Sequence, residues 1–438
     1  MKKIIASISM IFIYSLSAGQ GSLTSFGLYR KIPMVNQFNP AIQPDFKVYF
    51  SIPTLSGNLL DLSADFKVTD LVQKSANDSF SINLDRFLDQ IDRKIHLYAS
   101  SQINLFQMGF HTKSGYFSAV SSVGFESIIM VPKEIMELII RGNAASGIIG
   151  QKVPLNKLGQ SSYAYWKAGL GFSRDIMPGK ITAGARINLI RGFACFRLDS
   201  REAGYIYTDP GNYNITLRSG DIQYDISGYR NIIEGEFESS DILQYGNPGF
   251  SVDLGILYKI NNKISVSGSL DDLGSIIWNT DTRNFRMQDK TFTYEGIDID
   301  NIHNLNSVID SLGEMFTPEE IRVSFRQGLN KKLYLHSSYM LKEGHEISIT
   351  MRNIVFQKSL INMSSLSYHL KLGKLADLSV SYSISELRYS HLGAGFALGL
   401  GGFIIYAASD NIPGLFYQVN SHLENVSFGM FIGFNQKD

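Results

Sequence analysis

The sequence predicts an all-β fold: a closed antiparallel transmembrane β-barrel of about fourteen strands, with an error of about two and short helices in its long loops. Three observations carry that reading. The chain opens with an export leader, its dominant hydrophobic period is two, and tight turns alternate with long connections.

The leader comes first. Lys2 and Lys3 precede an apolar run, Ile4 to Leu16, and Ser17-Ala18-Gly19 stands before Gln20. A basic start, a short apolar stretch and small residues at a cleavage point form the layout of a secretory signal peptide. The run is shorter than the ~18 residues a membrane helix requires. No cysteine follows it, so no lipid anchor is expected. The expected division is 1–19 signal peptide, 20–45 an N-terminal hatch-like segment, and 46–438 an outer-membrane barrel. The expected location is the bacterial outer membrane.

The rhythm comes next. In Lys180–Ile190, Ile181, Ala183, Ala185, Ile187 and Leu189 share one face, and Thr182, Gly184, Arg186 and Asn188 the other. Phe250–Ile260 sets Phe250, Val252, Leu254, Ile256, Tyr258 and Ile260 against Ser251, Asp253, Gly255 and Lys259. Tyr163–Phe172 and the final Ser427–Phe434 repeat the pattern. Each is about the 9–11 residues with which a tilted strand crosses the hydrocarbon layer. Similar segments run from Tyr98–Phe110 through Phe403–Ala408, with separate strands expected at Ile321–Gln327 and Leu333–Met340. Val48–Ile52 and Leu59–Phe66 are weaker.

Turn chemistry divides the strands. Tight reversals are expected at Thr112–Gly115, Pro178-Gly179, Asn261-Asn262, Asn330-Lys331, Glu343-Gly344 and Gly373-Lys374, where Gly, Asn or Pro supports them. Long connections fill Ile128–Ser161, Asp199–Pro248 and Gly274–Glu320. A meander through a slab puts alternate connections on opposite sides, so long loops gather on one side and tight turns on the other. Within the loops, Pro132-Lys133-Glu134 opens a short helix, and Asp300–Met315 has helical spacing. Asp199–Tyr245 reads as a hairpin outside the bilayer. Tyr163, Tyr165, Tyr258, Tyr382, Tyr389 and Tyr406 are candidates for the aromatic girdles, each with cross-strand packing as the alternative.

Composition narrows the function. Forty basic residues balance forty acidic ones, which leaves no basic footprint for nucleic acid. The one cysteine, Cys195, excludes an internal disulfide and reads as a small apolar strand residue. The eight histidines include no His-Glu-x-x-His pair, and no nucleophile elbow or phosphate loop is present. Gly393 to Gly402 fall at strand spacing and read as small lumen or bend positions. Asp271-Asp272 and Asp298–Asp300 lack the spacing of a calcium loop and read as solvated loop acids. No catalysis, cofactor or metal is expected.

A resemblance adds to this reading. Asn39-Pro40-Ala41 is similar to the start of FadL-like barrels, which carry Asn-Pro-Ala near an N-terminal hatch. The run Phe250-Ser-Val-Asp-Leu-Gly-Ile-Leu-Tyr258, then Lys263–Leu270, then Asp272-Leu-Gly-Ser-Ile-Ile-Trp278, resembles a family of Bacteroidota outer-membrane barrels that carries a domain of unknown function. Tyr389–Gly402, Ala408–Ile412 and Asn425–Phe434 continue the likeness, which covers nearly the whole mature chain. The resemblance implies an outer-membrane barrel with no assigned activity. FadL relatives move hydrophobic molecules through a lateral opening, and PorV relatives are partners in protein secretion. The expected function is thus a FadL-like channel for hydrophobic or small solutes, and the alternative a non-catalytic binding or assembly partner. The expected partners are outer-membrane lipid and a hydrophobic small molecule or a protein.

Overall fold

The structure is a computed structural model. It describes residues 23–28, 31–74, 80–91, 94–143, 145–155, 157–200, 204–228, 246–287, 291–294, 319–356, 359–385, 390–416 and 422–436. The leader, the helix expected over Asp300–Met315 and the girdle candidate Tyr389 lie outside these residues.

Fourteen strands close into a ring. In chain order they are β1 (Phe46–Ala64), β2 (Lys94–His111), β3 (Tyr116–Pro132), β4 (Gly159–Met177), β5 (Ile181–Ser200), β6 (Asn247–Lys259) and β7 (Ile264–Trp278). They continue as β8 (Lys331–Lys342), β9 (His345–Phe356), β10 (Ser359–Leu372), β11 (Ala376–Ser385), β12 (Ser390–Leu400), β13 (Phe403–Ser409) and β14 (Leu423–Gln436). Each pairs antiparallel with the next, and β1 pairs with both β2 and β14. Closure leaves no open sheet edge, which is the condition for strands to cross lipid.

The two-residue rhythm divides outside from inside as the sequence predicts. Leu170, Ile187, Leu189 and Leu392 are 72%, 54%, 61% and 59% exposed. Their neighbours Arg186, Asn188 and His391 are buried. Large apolar side chains therefore clothe the outer wall, and polar ones line the interior. No described helix is long and apolar enough to cross a membrane.

The chain enters at Phe46 and leaves at Gln436 on one end of the ring, where those two residues pair. The turns joining β2–β3, β4–β5, β6–β7, β8–β9, β10–β11 and β12–β13 are at this end. Gly115, Gly179, Gly344, Gly373, Gly401 and Gly402 serve five of them with φ between 59° and 151°, backbone that side chains resist, and Asn261 closes the sixth. Connections at the other end include the long ones. There the helix Lys133–Arg141, the helix Leu84–Gln90 and a small sheet of Lys152–Pro154, Tyr205–Thr208, Ile215–Arg218 and Thr291–Tyr294 form a cap. Ile135, Ile148, Val153 and Leu217 are buried within it. Arg141 reaches Asp85 and Asp89, each at 2.8 Å. Pro132 caps the first of these helices, as expected, and Tyr205–Thr208 and Ile215–Arg218 form a hairpin within the expected Asp199–Tyr245, of which residues 201–203 and 229–245 lie outside the described ones.

Several expectations are corrected. Asn330-Lys331 is no turn, because Phe325–Gly328 and β8 lie along the same edge of β7. The two expected strands at Ile321–Gln327 and Leu333–Met340 are thus largely one interrupted path. Its asparagine serves a buried ion cluster instead of a reversal. The weak segments Val48–Ile52 and Leu59–Phe66 belong to one strand, β1, whose pairing breaks between them. Tyr163, Tyr165 and Tyr406 are no girdle residues: they are buried at 2%, 4% and 1%, because their strand positions point inward. Tyr258 and Tyr382 do face outward.

Candidate functional site: a plugged lumen with two irregular walls

Residues 23–28 and 31–45 lie within the ring before β1 begins. Leu23–Leu28 and Pro33–Gln37 form two short 3-10 turns. Leu23, Phe26, Leu28, Ile32, Met34, Val35, Phe38 and Ile42 are buried and share one core with Tyr49, Tyr334, Tyr406 and Phe431 of the wall. Burying such side chains contributes roughly 1.5–3 kcal/mol each, so the segment is packed firmly in place.

Polar contacts fix it on several sides. The Asp410 carboxylate accepts from the Leu23 and Thr24 N–H groups, each at 2.8 Å. Thr24 Oγ1 contacts Ser381 Oγ at 2.6 Å. Lys31 Nζ donates to the Lys374 carbonyl at 2.8 Å. Arg186 donates to the Asn36 carbonyl, the Asn36 side chain and the Gln37 carbonyl at 2.6, 2.8 and 3.1 Å. Gln107 Nε2 donates to the Pro33 carbonyl at 3.1 Å.

Asn39, Pro40 and Ala41 lie against β5, β6 and β7. Asn39 Oδ1 accepts from Ala41 N–H at 2.9 Å, and its Nδ2 donates to the Gly268 carbonyl at 3.3 Å. The seat depends on paired glycines, Gly184 on β5 and Gly255 on β6. A Cβ at Gly184 would lie 2.4 Å from the Pro40 oxygen, and one at Gly255 2.1 Å from Asn39 Oδ1. Asn39, Pro40 and Ala41 are legible as a motif in the sequence; the glycines are not, since their strand spacing resembles that of many others.

The first irregular wall lies in β1. Toward β14, pairing stops at Ser51↔Phe431 and resumes at Ser56↔Gly429. Toward β2, it stops at Phe50↔Met108 and resumes at Leu59↔Gln102. Thr54 (φ 62°) and Gly57 (φ 108°) take left-handed backbone there. The break starts about six residues from the strand end. At ~3.3 Å per residue and a tilt of ~40°, it lies ~15 Å up the wall, inside an apolar band ~25 Å tall. Unpaired backbone at this depth is costly, and side chains take over. Asn104 Nδ2 donates to the Gly57 carbonyl at 2.8 Å, Asn58 Nδ2 to the Thr54 carbonyl at 2.9 Å, and Gln107 N–H to Ser51 Oγ at 2.6 Å. Outside, Leu55, Phe50, Ile103 and Phe106 are exposed. Inside, Met34 closes the break: a Cβ at Gly57 would be 3.2 Å from its sulfur, and Tyr406 Oη and Ser427 Oγ also contact that sulfur.

The second irregular wall lies in β7. Val252 pairs Leu273 and Leu254 pairs Leu270, so one extra residue bulges from β7. Asp272 adopts φ 60°. The bulge lets two consecutive aspartates turn inward, and both are buried. The expectation that Asp271-Asp272 are solvated loop acids is therefore corrected. Asp272 pairs with Lys332 at 2.8 Å and Lys167 at 3.3 Å. Lys332 also pairs with Glu126 at 2.8 Å. Asn330 Nδ2 donates to Glu126 at 2.9 Å. Asp253 faces Arg186 at 3.6 Å and accepts from Asn188 Nδ2 at 2.9 Å. Lys167, Arg186, Asp253, Asp271, Asp272 and Lys332, with Gln37 and Phe38, line a cavity of about 40 Å³. Alternation cannot foretell such a cluster, because β-strand periodicity gives only one of two consecutive residues to the lumen.

Cys195 is buried in β5, with its thiol donating to Gln327 Oε1 at 2.7 Å. Among the described residues no group of three or more His, Cys, Asp and Glu side chains is placed to hold a metal.

No curated protein matches the chain. Among solved structures, the Ralstonia pickettii toluene transporter TbuX is similar at 9% identity and a TM-score of 0.43, covering 92% of this chain and 95% of that one. The Pseudomonas putida toluene transporter TodX is similar at 10% identity and a TM-score of 0.39, with 95% and 93% covered. A Pseudomonas aeruginosa FadL homologue is similar at 8% identity and a TM-score of 0.41, with 96% and 99% covered. A family model described as a family of unknown function, DUF5723, matches residues 40–410, which span the strands from β1 to β13 and both irregular walls. This chain belongs to that DUF5723 family.

Proposed function

We propose that the protein is an outer-membrane channel for hydrophobic or small solutes. In this reading residues 23–45 are the hatch, and Asn39-Pro40-Ala41 fasten it to the wall. The break in β1 is the side passage between lumen and lipid. The observation that carries the reading is the position of Met34, which lies at the inner face of the one long pairing break that opens toward β14 and β2 alike. A permanent structural filler has no need of an interrupted wall beside it. The apolar rim of Phe50, Leu55, Ile103 and Phe106 suits a greasy solute leaving sideways. The packed lumen argues against a wide aqueous pore.

The test is permeation in proteoliposomes. Solutes from sugars to monoaromatic hydrocarbons are offered to the wild type and to Met34→Ala. Hydrophobic solutes are expected to pass, and Met34→Ala is expected to raise their flux several-fold while sugars remain slow. Failure of every tested solute to pass through either protein would sink the proposal.

A further inference from the structure

We propose that the cavity beside Asp271 binds a small monovalent cation, of the size of sodium or potassium, beneath the hatch. This inference is independent of the channel reading. It starts from a charge count over the connected network. Glu126, Asp253, Asp271 and Asp272 are four carboxylates; Lys167, Arg186 and Lys332 are three cations. Glu126, Asp253 and Asp272 each have an ion-pair partner. Among the described residues Asp271 has none.

Two buried oxygens on residues lining this cavity have no hydrogen-bond partner. Asp271 is 6% exposed, and its Oδ1 has no hydrogen-bond partner. Asn188 is fully buried, and its Oδ1 has none either, while its amide nitrogen donates to Ser251 and Asp253. Both residues line the same cavity. An unmatched buried carboxylate is strongly disfavoured, and lone acceptor oxygens seek a positive partner. A volume of about 40 Å³ accommodates an ion of this size. One positive charge brings the network to balance, whereas a divalent ion would leave it positive. Carboxylate and amide oxygens suit such a hard cation. The β7 bulge gains a purpose as well: it turns Asp272 to the lysines and leaves Asp271 for the ion.

The mature protein, purified in detergent, provides the test. Its melting temperature is followed in sodium chloride, and separately in potassium chloride, against choline chloride at equal ionic strength. Sodium or potassium is expected to raise it by several degrees, growing with the logarithm of concentration, as a ligand of the folded state does. Asp271→Asn is expected to melt at one temperature in all three salts. If that variant does not fold, Asn188→Ser is expected to shift the dependence to higher cation concentration. Equal melting of the wild type in all three salts overturns the proposal, and so does an unchanged response in either variant. An infrared band from a protonated carboxyl that disappears in Asp271→Asn also overturns it, since the charge would then be met by a proton.

Discussion

Two walls of the same barrel depart from regular pairing, and they do so in opposite senses. The break in β1 and the bulge in β7 begin at similar distances from the turn end of their strands, six strands apart in a ring of fourteen. In β1 the surplus chain swings outward, its rim is apolar, and amide side chains replace the missing ladder bonds. In β7 the surplus turns inward, and its carboxylates are gathered by lysines. The residue types explain the difference. Pro53 lacks a donor, and Gly57 accepts a positive φ, so β1 loses ladder bonds without introducing charge. A charge at the β7 bulge cannot face lipid, so the strand pays with Asp272 in left-handed backbone to keep both acids inside. An irregular strand can thus serve as a passage or as a charge anchor, and the side chains decide which.

The contrast predicts unequal costs. Lys332→Met should have the largest effect. It strips the shared partner from Glu126 and Asp272 in the interior, and breaking a buried pair this way costs ~3–5 kcal/mol. Denaturant unfolding in detergent should show the loss. A change below ~1 kcal/mol would mean that water reaches the cluster and that the β7 wall is no anchor. Gly255→Leu comes next. Its side chain would occupy the position of Asn39, an overpacking worth ~1–3 kcal/mol, unless the hatch leaves its seat. Single-channel recording should then show higher conductance, and limited proteolysis should cut within residues 23–45. An unchanged conductance would show that the seat does not hold the plug.

Gly57→Val sharpens the other side of the comparison. The residue sits at φ 108°, and a Cβ would be 2.7 Å from Asn104 Nδ2. Left-handed backbone costs a branched side chain ~1–3 kcal/mol. Stability should fall modestly, while flux of hydrophobic solutes through proteoliposomes should change several-fold. Equal flux would remove β1 from the path.

The barrel was largely legible in the sequence because its cause is repetitive. Ile187 and Leu189 face lipid while Arg186 and Asn188 face the lumen, and a period of two states that directly. The split between Val48–Ile52 and Leu59–Phe66 even marked the β1 break, as weakness in a strand signal. Three features were hidden for definite reasons. Tyr163, Tyr165 and Tyr406 are amphipathic, which suggests a girdle, although the parity of Tyr163 and Tyr165 with Lys167 already puts those two on the inner face. Asp271-Asp272 violate alternation through a bulge, and consecutive acids ordinarily mean a loop. Asn330-Lys331 carries turn chemistry, but the asparagine binds Glu126 across the lumen, a partner 204 positions away in the chain. The seat at Gly184 and Gly255 likewise depends on a register that no single segment contains.

The smallest predicted effect is the most discriminating. Asn104→Leu removes the donor to the Gly57 carbonyl and places an apolar side chain of similar size at the break. Leaving a buried carbonyl without its partner costs ~1–3 kcal/mol, and the low end applies because this carbonyl lies beside a wall already interrupted. Unfolding should therefore shift by only ~1 kcal/mol, well short of the Lys332→Met loss. Permeation should move in the other proportion, because Asn104 holds the inner lip of the break against Met34. A flux change larger than that of Lys332→Met, at a smaller cost in stability, would assign passage to β1 and anchoring to β7. If both properties fell together in both variants, the two irregular walls would be doing the same work, and the distinction between them would dissolve.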